Sequence, residues 1–303
     1  MIYEIYHETK FDYAGLVTFS HNIARLKPKN SDTQKLLEYS LNIEPTPYET
    51  NEFIDYFENT NNFMLIREAH TTLKVIAKSK VERIEKNINE ELEKLKNVSI
   101  TFGEAKERLN KYYKDDVLAK LFLFETESIP AASNEIINYA LESFWDGRNL
   151  YEATNEFMER IFNDFDFVSG FTNITTPIEV VFKEKKGVCQ DFAQFAISAL
   201  RSIGIPTRYV SGYIQTIPEE GKEKLFGADA SHAWFSIYIP TFGWADFDPT
   251  NNKIPNEEYI ILGYGRDYLD IAPLKGVVQS SGGSTLKVKV NVEAIKEDST
   301  TKE

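Results

Sequence analysis

GVCQDFAQFAISALRSIG, residues 187–204, contains Cys189, the only cysteine in the 303-residue chain. From Asp191 onward, Phe192, Ala193, Ala196, Ala199, Leu200 and Ile203 recur at three- and four-residue spacing, which predicts a helix with one apolar face. Gly187 allows a tight turn ahead of it, and Gly204 followed by Ile205-Pro206 stops it. Cys189 therefore falls at or just before the first turn. Unpaired backbone N–H groups and the positive end of the helix dipole favour a thiolate at that place. A lone cysteine is more often a small buried hydrophobe than a nucleophile. Against that stand Lys183, Lys185 and Lys186 just before it and the polar pair Gln190-Asp191 just after. Position alone leaves both readings open.

Downstream of Pro206 the pattern changes to strands. TRYVSGYI (Thr207–Ile214) predicts one, and SHAWFSIYI (Ser231–Ile239) another, with a polar loop over Pro218–Ala230 between them. Pro240-Thr241-Phe242-Gly243 reads as a tight turn leading to a hairpin partner, Trp244–Asp248. A cysteine nucleophile needs a base to take its proton and a third group to orient that base. Of four histidines, His232 alone follows Cys189, and it opens a strand, where a side chain can reach a cleft. Strand alternation puts Asp246 and Asp248 on one face, and the hairpin brings that acidic end back toward His232. Spacing does not choose between the two aspartates. His232 packed on Trp234, or Asp248 as a turn former before Pro249, accounts for each residue singly. A helix-start cysteine, a strand histidine and an aspartate on the paired strand are together much harder to assign to chance.

Upstream, residues 1–90 read as a β-rich domain. The strands are at Ile2–Glu8, Leu16–Leu26, Leu36–Ile43, Asn51–Phe57, Asn62–Glu68 and Thr71–Ile84, with a turn at Tyr13-Ala14-Gly15. Strands at this spacing without intervening helices imply a sandwich or small barrel. His7, His21 and His70 are half-buried strand residues in this reading, without a catalytic role. Residues 91–130 are a charged, helical connector, with a helix expected over Asn110–Phe124. Residues 131–303 form the remaining domain. Ser133 caps one helix, Leu150, Ala153, Phe157 and Ile161 mark a second, ILGYGRDYLDIAP reads as loop, and Thr285–Glu293 is a last strand. Residues 296–303 read as a frayed end.

Forty-seven Asp and Glu against thirty-four Lys and Arg give a net charge of −13, which argues against sequence-independent nucleic-acid binding. One cysteine makes no internal disulfide. MIYEIYHETKFDY lacks the basic-then-apolar pattern of a signal peptide, and no apolar run reaches the roughly 18–20 residues of a membrane span. The expectation is a cytoplasmic protein without membrane association. No metal-ligand cluster and no Gly-rich phosphate loop appear, so no cofactor is expected.

GVCQDFA around Cys189, IPTRYVSGY behind it, SHAWFSIYI around His232 and GWADFDPTNN around Asp248 resemble the transglutaminase-like superfamily. IYHETKFDY, LKPKNSDTQ and REAHTTLKVIAKSKVE resemble the N-terminal β-domain of its bacterial members, and RDYLDIAPLKGV their C-terminal segment. Gln194 departs from the pattern, standing where many bacterial relatives have histidine. The resemblance implies an α+β fold. An N-terminal β-sandwich-like domain precedes a papain-like core, in which the cysteine starts a helix packed on an antiparallel sheet. It implies Cys189 as nucleophile, His232 as base and acid, and Asp248 over Asp246 as the orienting carboxylate. The expected activity is thiol-dependent hydrolysis of amide bonds in a protein or peptide. Transamidation of glutamine is the alternative, and a non-catalytic binding module of the same fold ranks last because all three residues are present.

Overall fold

Apolar and polar residues alternate along β1 (Ile2–Val17) and β6 (His70–Arg83), and alternation over strands of this length dictates one buried face. In the computed structural model, which describes residues 1–111, 113–215 and 231–295, that face carries Tyr3 and Ile5 on β1 and Leu73, Val75, Ala77 and Val81 on β6. Between these two strands lie β2 (Phe19–Ala24), β3 (Gln34–Glu44), β4 (Glu49–Ile54) and β5 (Thr60–Ile66). Helices α1 (Glu85–Lys96), α2 (Phe102–Leu109), α3 (Asn134–Leu141) and α4 (Leu150–Asp164) follow. Next come β7 (Asp166–Phe167), α5 (Ile178–Glu184), β8 (Lys186–Gly187) and α6 (Cys189–Ser202). Strands β9 (Thr207–Ile214), β10 (Ser231–Ile239), β11 (Gly243–Phe247) and β12 (Tyr259–Gly265) lead to α7 (Tyr268–Ile271), β13 (Leu274–Gln279) and β14 (Ser284–Ile295).

Three antiparallel four-stranded sheets result, ordered β14-β1-β6-β3, β13-β2-β5-β4 and β11-β10-β9-β12. The first two form a sandwich in which Leu73, Val75 and Ala77 meet Ala24, Met64 and Ile66. The third is the sheet of an α+β core, covered on one face by α6, where Ala233, Phe235, Ile237 and Ile239 pack with Phe192, Ala196 and Leu200. Strand β1 has 16 residues, roughly 50 Å at the usual rise. The first sheet therefore reaches past the second and covers the third as well, with Tyr3, Ile5, Val81, Val290 and Val292 against Tyr213, Ile260 and Leu262. His7 sits between the two apolar clusters, its Nδ1 2.8 Å from the Tyr213 hydroxyl and its Nε2 3.1 Å from the Thr9 hydroxyl.

Helix α6 forms where periodicity places it and starts at Cys189, but all its residues from Asp191 to Arg201 are buried rather than one face alone. Two of its polar side chains are accommodated by backbone carbonyls: Ser198 donates to Pro130 O, and Arg201 to Phe124 O, Thr207 O and Arg266 O. Four expectations need correction. The final strand is not part of the C-terminal core, because β14 pairs with β1 and β13 with β2, completing both sandwich sheets. ILGYGRDYLDIAP holds the last part of β12 and α7 rather than a loop. No α-helix spans Asn110–Phe124 among the described residues; short 3-10 turns at Lys114–Asp116 and Leu118–Leu123 stand there. They are pinned by the buried Asp116, which accepts from Arg108 Nε at 2.9 Å and the Tyr238 hydroxyl at 2.8 Å. Tyr13-Ala14-Gly15 stays within β1 as a break in its register with β6. The polar loop at Pro218–Ala230 and the end at 296–303 lie outside the described residues.

Among the described residues no helix is long and apolar enough to cross a membrane.

Burial of His7 without a carboxylate pushes its pKa down to about 4 from the ordinary 6.5. Below 6.5 the unfolded chain takes up a proton that the native chain refuses until about 4. Stability from this group is therefore lost as pH falls across that window, by about 3 kcal/mol in total. Denaturant unfolding between pH 4 and 6.5 is expected to show a pH slope smaller by about one proton in His7→Asn. An unchanged slope would mean that another group carries the dependence.

Candidate active site

The approach to α6 is fixed by one carboxylate. Asp191 Oδ2 accepts from the Val188 N–H at 2.8 Å and from the Thr172 hydroxyl at 2.6 Å. A Cβ on Gly187 would lie 2.8 Å from the Asp191 Cβ, so only glycine fits there. Burial raises the Asp191 pKa, and the Thr172 and Val188 hydrogen bonds oppose the rise. Val168 N donates to Gly187 O at 2.9 Å and β7 runs parallel to β8, which ties the following 168–176 segment to the helix start. Cys189 is the first residue of α6 and is half-buried. Backbone N–H groups at such a position have no partner within the helix.

Pairing of β10 with β9 sets His232 opposite Gly212. A Cβ at Gly212 would lie 2.2 Å from Ile260 O and 2.5 Å from the Trp234 ring, so the indole packs directly over this glycine. Pairing of Phe235 with Phe247 puts Asp246 and Asp248 on the strand face that also carries His232 and Trp234. The two aspartates then part company. Asp246 accepts from the Trp234 indole N–H at 3.0 Å, whereas Asp248 Oδ2 lies 2.7 Å from His232 Nε2.

Asp248 has no exposed surface. Its Oδ2 also accepts from Asn251 Nδ2 at 2.6 Å and the Tyr259 hydroxyl at 2.8 Å, and its Oδ1 from the Thr250 N–H at 2.9 Å. Cys189 lies close enough to His232 to favour the protonated ring. With Nε2 turned to Asp248, the ring nitrogen left for the sulfur is Nδ1. The structure thus brings together Cys189, His232 and Asp248, while Asp246 is directed to the indole.

Burial opposes protonation of His232, but the Asp248 charge and hydrogen bond, with Cys189 beyond them, override it and push the pKa up to about 10. His7 serves as the internal reference: equally buried without a carboxylate, it falls to about 4. Asp248 itself is held below the usual carboxylate range; burial works against this, and the His232 charge and the Asn251 and Tyr259 hydrogen bonds outweigh burial. A proton can therefore reside on an imidazole that touches both a sulfur and a carboxylate. Among the described residues no group of three or more His, Cys, Asp or Glu is placed to hold a metal ion.

Sequence reasoning missed Asp191, Thr172, Asn251 and Tyr259. The signal for Tyr259 was the unbroken run YIILGYG, the pattern of a strand buried on both faces. Gln194 lies more than a turn along α6 from Cys189 and is buried.

A sequence profile of the bacterial transglutaminase-like N-terminal region matches residues 3–82, and one of the transglutaminase-like superfamily matches residues 140–249. The chain belongs to the transglutaminase-like superfamily. Cys189, His232 and Asp248 all fall within the second match, and Asn251 and Tyr259 lie beyond it. An uncharacterized protein from Mycobacterium tuberculosis is 34% identical over 298 residues, covering 96% of this chain and 92% of its own. One from Mycobacterium leprae is 30% identical over 289 residues, covering 95% and 97%. The crystal structure of a candidate cysteine protease from Cytophaga hutchinsonii has the same fold. Its TM-score is 0.74 at 23% identity, over 99% of this chain and 92% of that one.

Replacing Asp248 with Asn removes the charge that holds the proton on His232. The ring is then expected to titrate below 6.5, as a buried imidazole without a counter-ion does. Histidine ¹³Cε1 NMR, assigned with His232→Gln, measures this directly. A midpoint still near 10 would show that Asp248 is not the cause.

Proposed function

We propose that the chain is a cysteine peptidase: a thiol-dependent hydrolase of amide bonds in protein or peptide substrates, acting through Cys189, His232 and Asp248. One observation carries the reading. A single imidazole links a half-buried sulfur at a helix start to a carboxylate sealed from solvent.

In the reactive state the sulfur is the thiolate and its proton sits on His232. Attack on the carbonyl carbon forms the C–S bond and moves the carbonyl π pair onto oxygen. That oxyanion meets the unpaired N–H groups at the start of α6, the Cys189 N–H among them, and one such donor is typically worth about 10²–10³ in rate. Collapse breaks the C–N bond, His232 gives its proton to the departing amine, and a thioester remains. Water then attacks as His232 takes its proton, the C–S bond breaks, and the acid leaves with Cys189 restored. Asp248 keeps the ring oriented and stabilises its charged form throughout. A single unpaired thiol suits the reducing cytoplasm. An amine in place of water would give transamidation from the same thioester.

Intact-mass analysis after iodoacetamide treatment near neutral pH is expected to show rapid addition of one group at Cys189, slowed in His232→Ala. Equal, slow labelling of both proteins would remove the case for an activated thiol. With a peptide library, Cys189→Ala is expected to abolish turnover and His232→Ala to lower it roughly 10³-fold. Free acid as the product supports the peptidase, whereas amine adducts formed on adding an amine would reassign it to acyl transfer.

A further inference from the structure

Tyr259 opens β12, the edge strand of the sheet that carries His232. Its ring is buried edge-on to Trp234, with centroids 5.4 Å apart, and its hydroxyl donates to Asp248 Oδ2 at 2.8 Å. A phenylalanine would fill the same space, so the hydroxyl is what distinguishes the residue.

Among the described residues no strand pairs with the outer edge of β12. The N-terminal half takes that place with the Lys29 N–H, which donates to Ile261 O at 3.3 Å, and with two side-chain amides. Gln34 donates to Ile261 O at 2.9 Å and accepts from Ile261 N at 2.8 Å. Asn59 donates to Tyr264 O at 2.7 Å and accepts from Tyr264 N at 2.9 Å. Each amide engages both backbone groups of one residue, as a paired strand would. Both amides are themselves fixed. Gln34 is 1% exposed, donates also to Lys29 O at 2.7 Å and accepts from Arg83 Nη1 at 3.3 Å. Asn59 donates to Asp55 Oδ2 at 3.2 Å, and a Cβ on Gly263 would lie 2.3 Å from its Oδ1. β12 takes its register from β9 on one edge, and on the other its position, with that of Tyr259 two residues before Ile261, is held from the N-terminal side.

We propose that the N-terminal β-domain is a working part of the candidate active site: Gln34 and Asn59 fix β12, and β12 presents the Tyr259 hydroxyl that orients and stabilises the Asp248 carboxylate. Tyr259 is a positioning residue in this account, and Gln34 and Asn59 act through it. The kinetic readout rests on the peptidase reading above, and the titration readout does not. The titratable groups around Asp248 are His232 on β10 and Tyr259 on β12, with Glu258 next to Tyr259 and Cys189 acting through His232. A hydrogen bond to a charged acceptor is among the stronger ones. Its loss raises the proton affinity of the carboxylate, although Asn251 and Thr250 still donate.

The test follows the Asp248 carboxyl by ¹³C NMR, assigned with Asp248→Asn, in wild type, Tyr259→Phe, Gln34→Ala and the double variant. The expected result is a midpoint higher by about one pH unit in Tyr259→Phe. The acid limb of kcat/KM should move with it, and kcat should fall about tenfold at unchanged KM. Gln34→Ala should shift the midpoint the same way and add nothing in the Tyr259→Phe background. An unmoved midpoint in Tyr259→Phe overturns the hydroxyl's role, and equal effects of Gln34→Ala in both backgrounds overturn the role of the N-terminal domain. If Gln34→Ala does not fold, Asn59→Ala cuts the other clamp and is judged by the same outcomes. A wild type that lacks thiol-dependent turnover but shows these titration shifts would sink the peptidase reading and leave this one standing.

Discussion

A carboxylate without exposed surface is the constraint on which the rest of the core depends. An uncompensated charge in such a place costs several kcal/mol, and removing one partner of a buried pair typically costs about 3–5 kcal/mol. Asp248 is therefore surrounded by an imidazole, a side-chain amide, a phenol and a backbone N–H, drawn from β10, β12 and the turn after β11. These donors come together only when three strands and one turn are in register. The polar network thus specifies the arrangement of the sheet as much as apolar packing does, because a sheet slipped by one residue would leave Asp248 without partners. Asp246, two residues away on the same face, fills the parallel role for the Trp234 indole and keeps that ring over Gly212 beneath His232.

The sandwich and the core share more than a boundary. One continuous face of β1 and β6 meets the second sandwich sheet at one end and the β9–β12 sheet at the other. His7 stands at the join, neutral because nothing anionic accompanies it. His232, just as buried, is held protonated by Asp248. Burial by itself drives an imidazole toward the neutral form, as in His7, and a buried carboxylate partner reverses that, as in His232.

What the sequence made legible was local. The alternation of β1 and β6, the periodicity of α6, and the shared face of Asp246 and Asp248 each depend on neighbours within a few residues, and each appears in the fold. The choice of Asp248 did not come from spacing; it came from resemblance, and in the fold the aspartates are separated by their partners, the Trp234 indole for one and His232, Asn251 and Tyr259 for the other. What stayed hidden depends on distant pairing. Nothing within Ser284–Ile295 says that its partner is the first strand of the chain, and nothing within YIILGYG says that Gln34 and Asn59 will cover its edge. The stretch after Asn110 misled for another reason: its apolar residues at helical spacing include Tyr113, Val117 and Leu121, all exposed, while the buried Asp116 decides the local conformation.

Pairing of the last strand with the first bears on how the chain is made. As the chain leaves the ribosome, β1 emerges well ahead of its β14 neighbour, which follows only after β2 to β13 have been made. The β13 edge of the second sheet arrives only slightly earlier. Neither sandwich sheet can finish its hydrogen bonding until these strands have emerged, and the amides that brace β12 sit on a domain that is itself incomplete until then. Maturation of the thiol site is thereby coupled to synthesis of β13 and β14, and a polypeptide terminated before them would carry Cys189 without the support that places its partners.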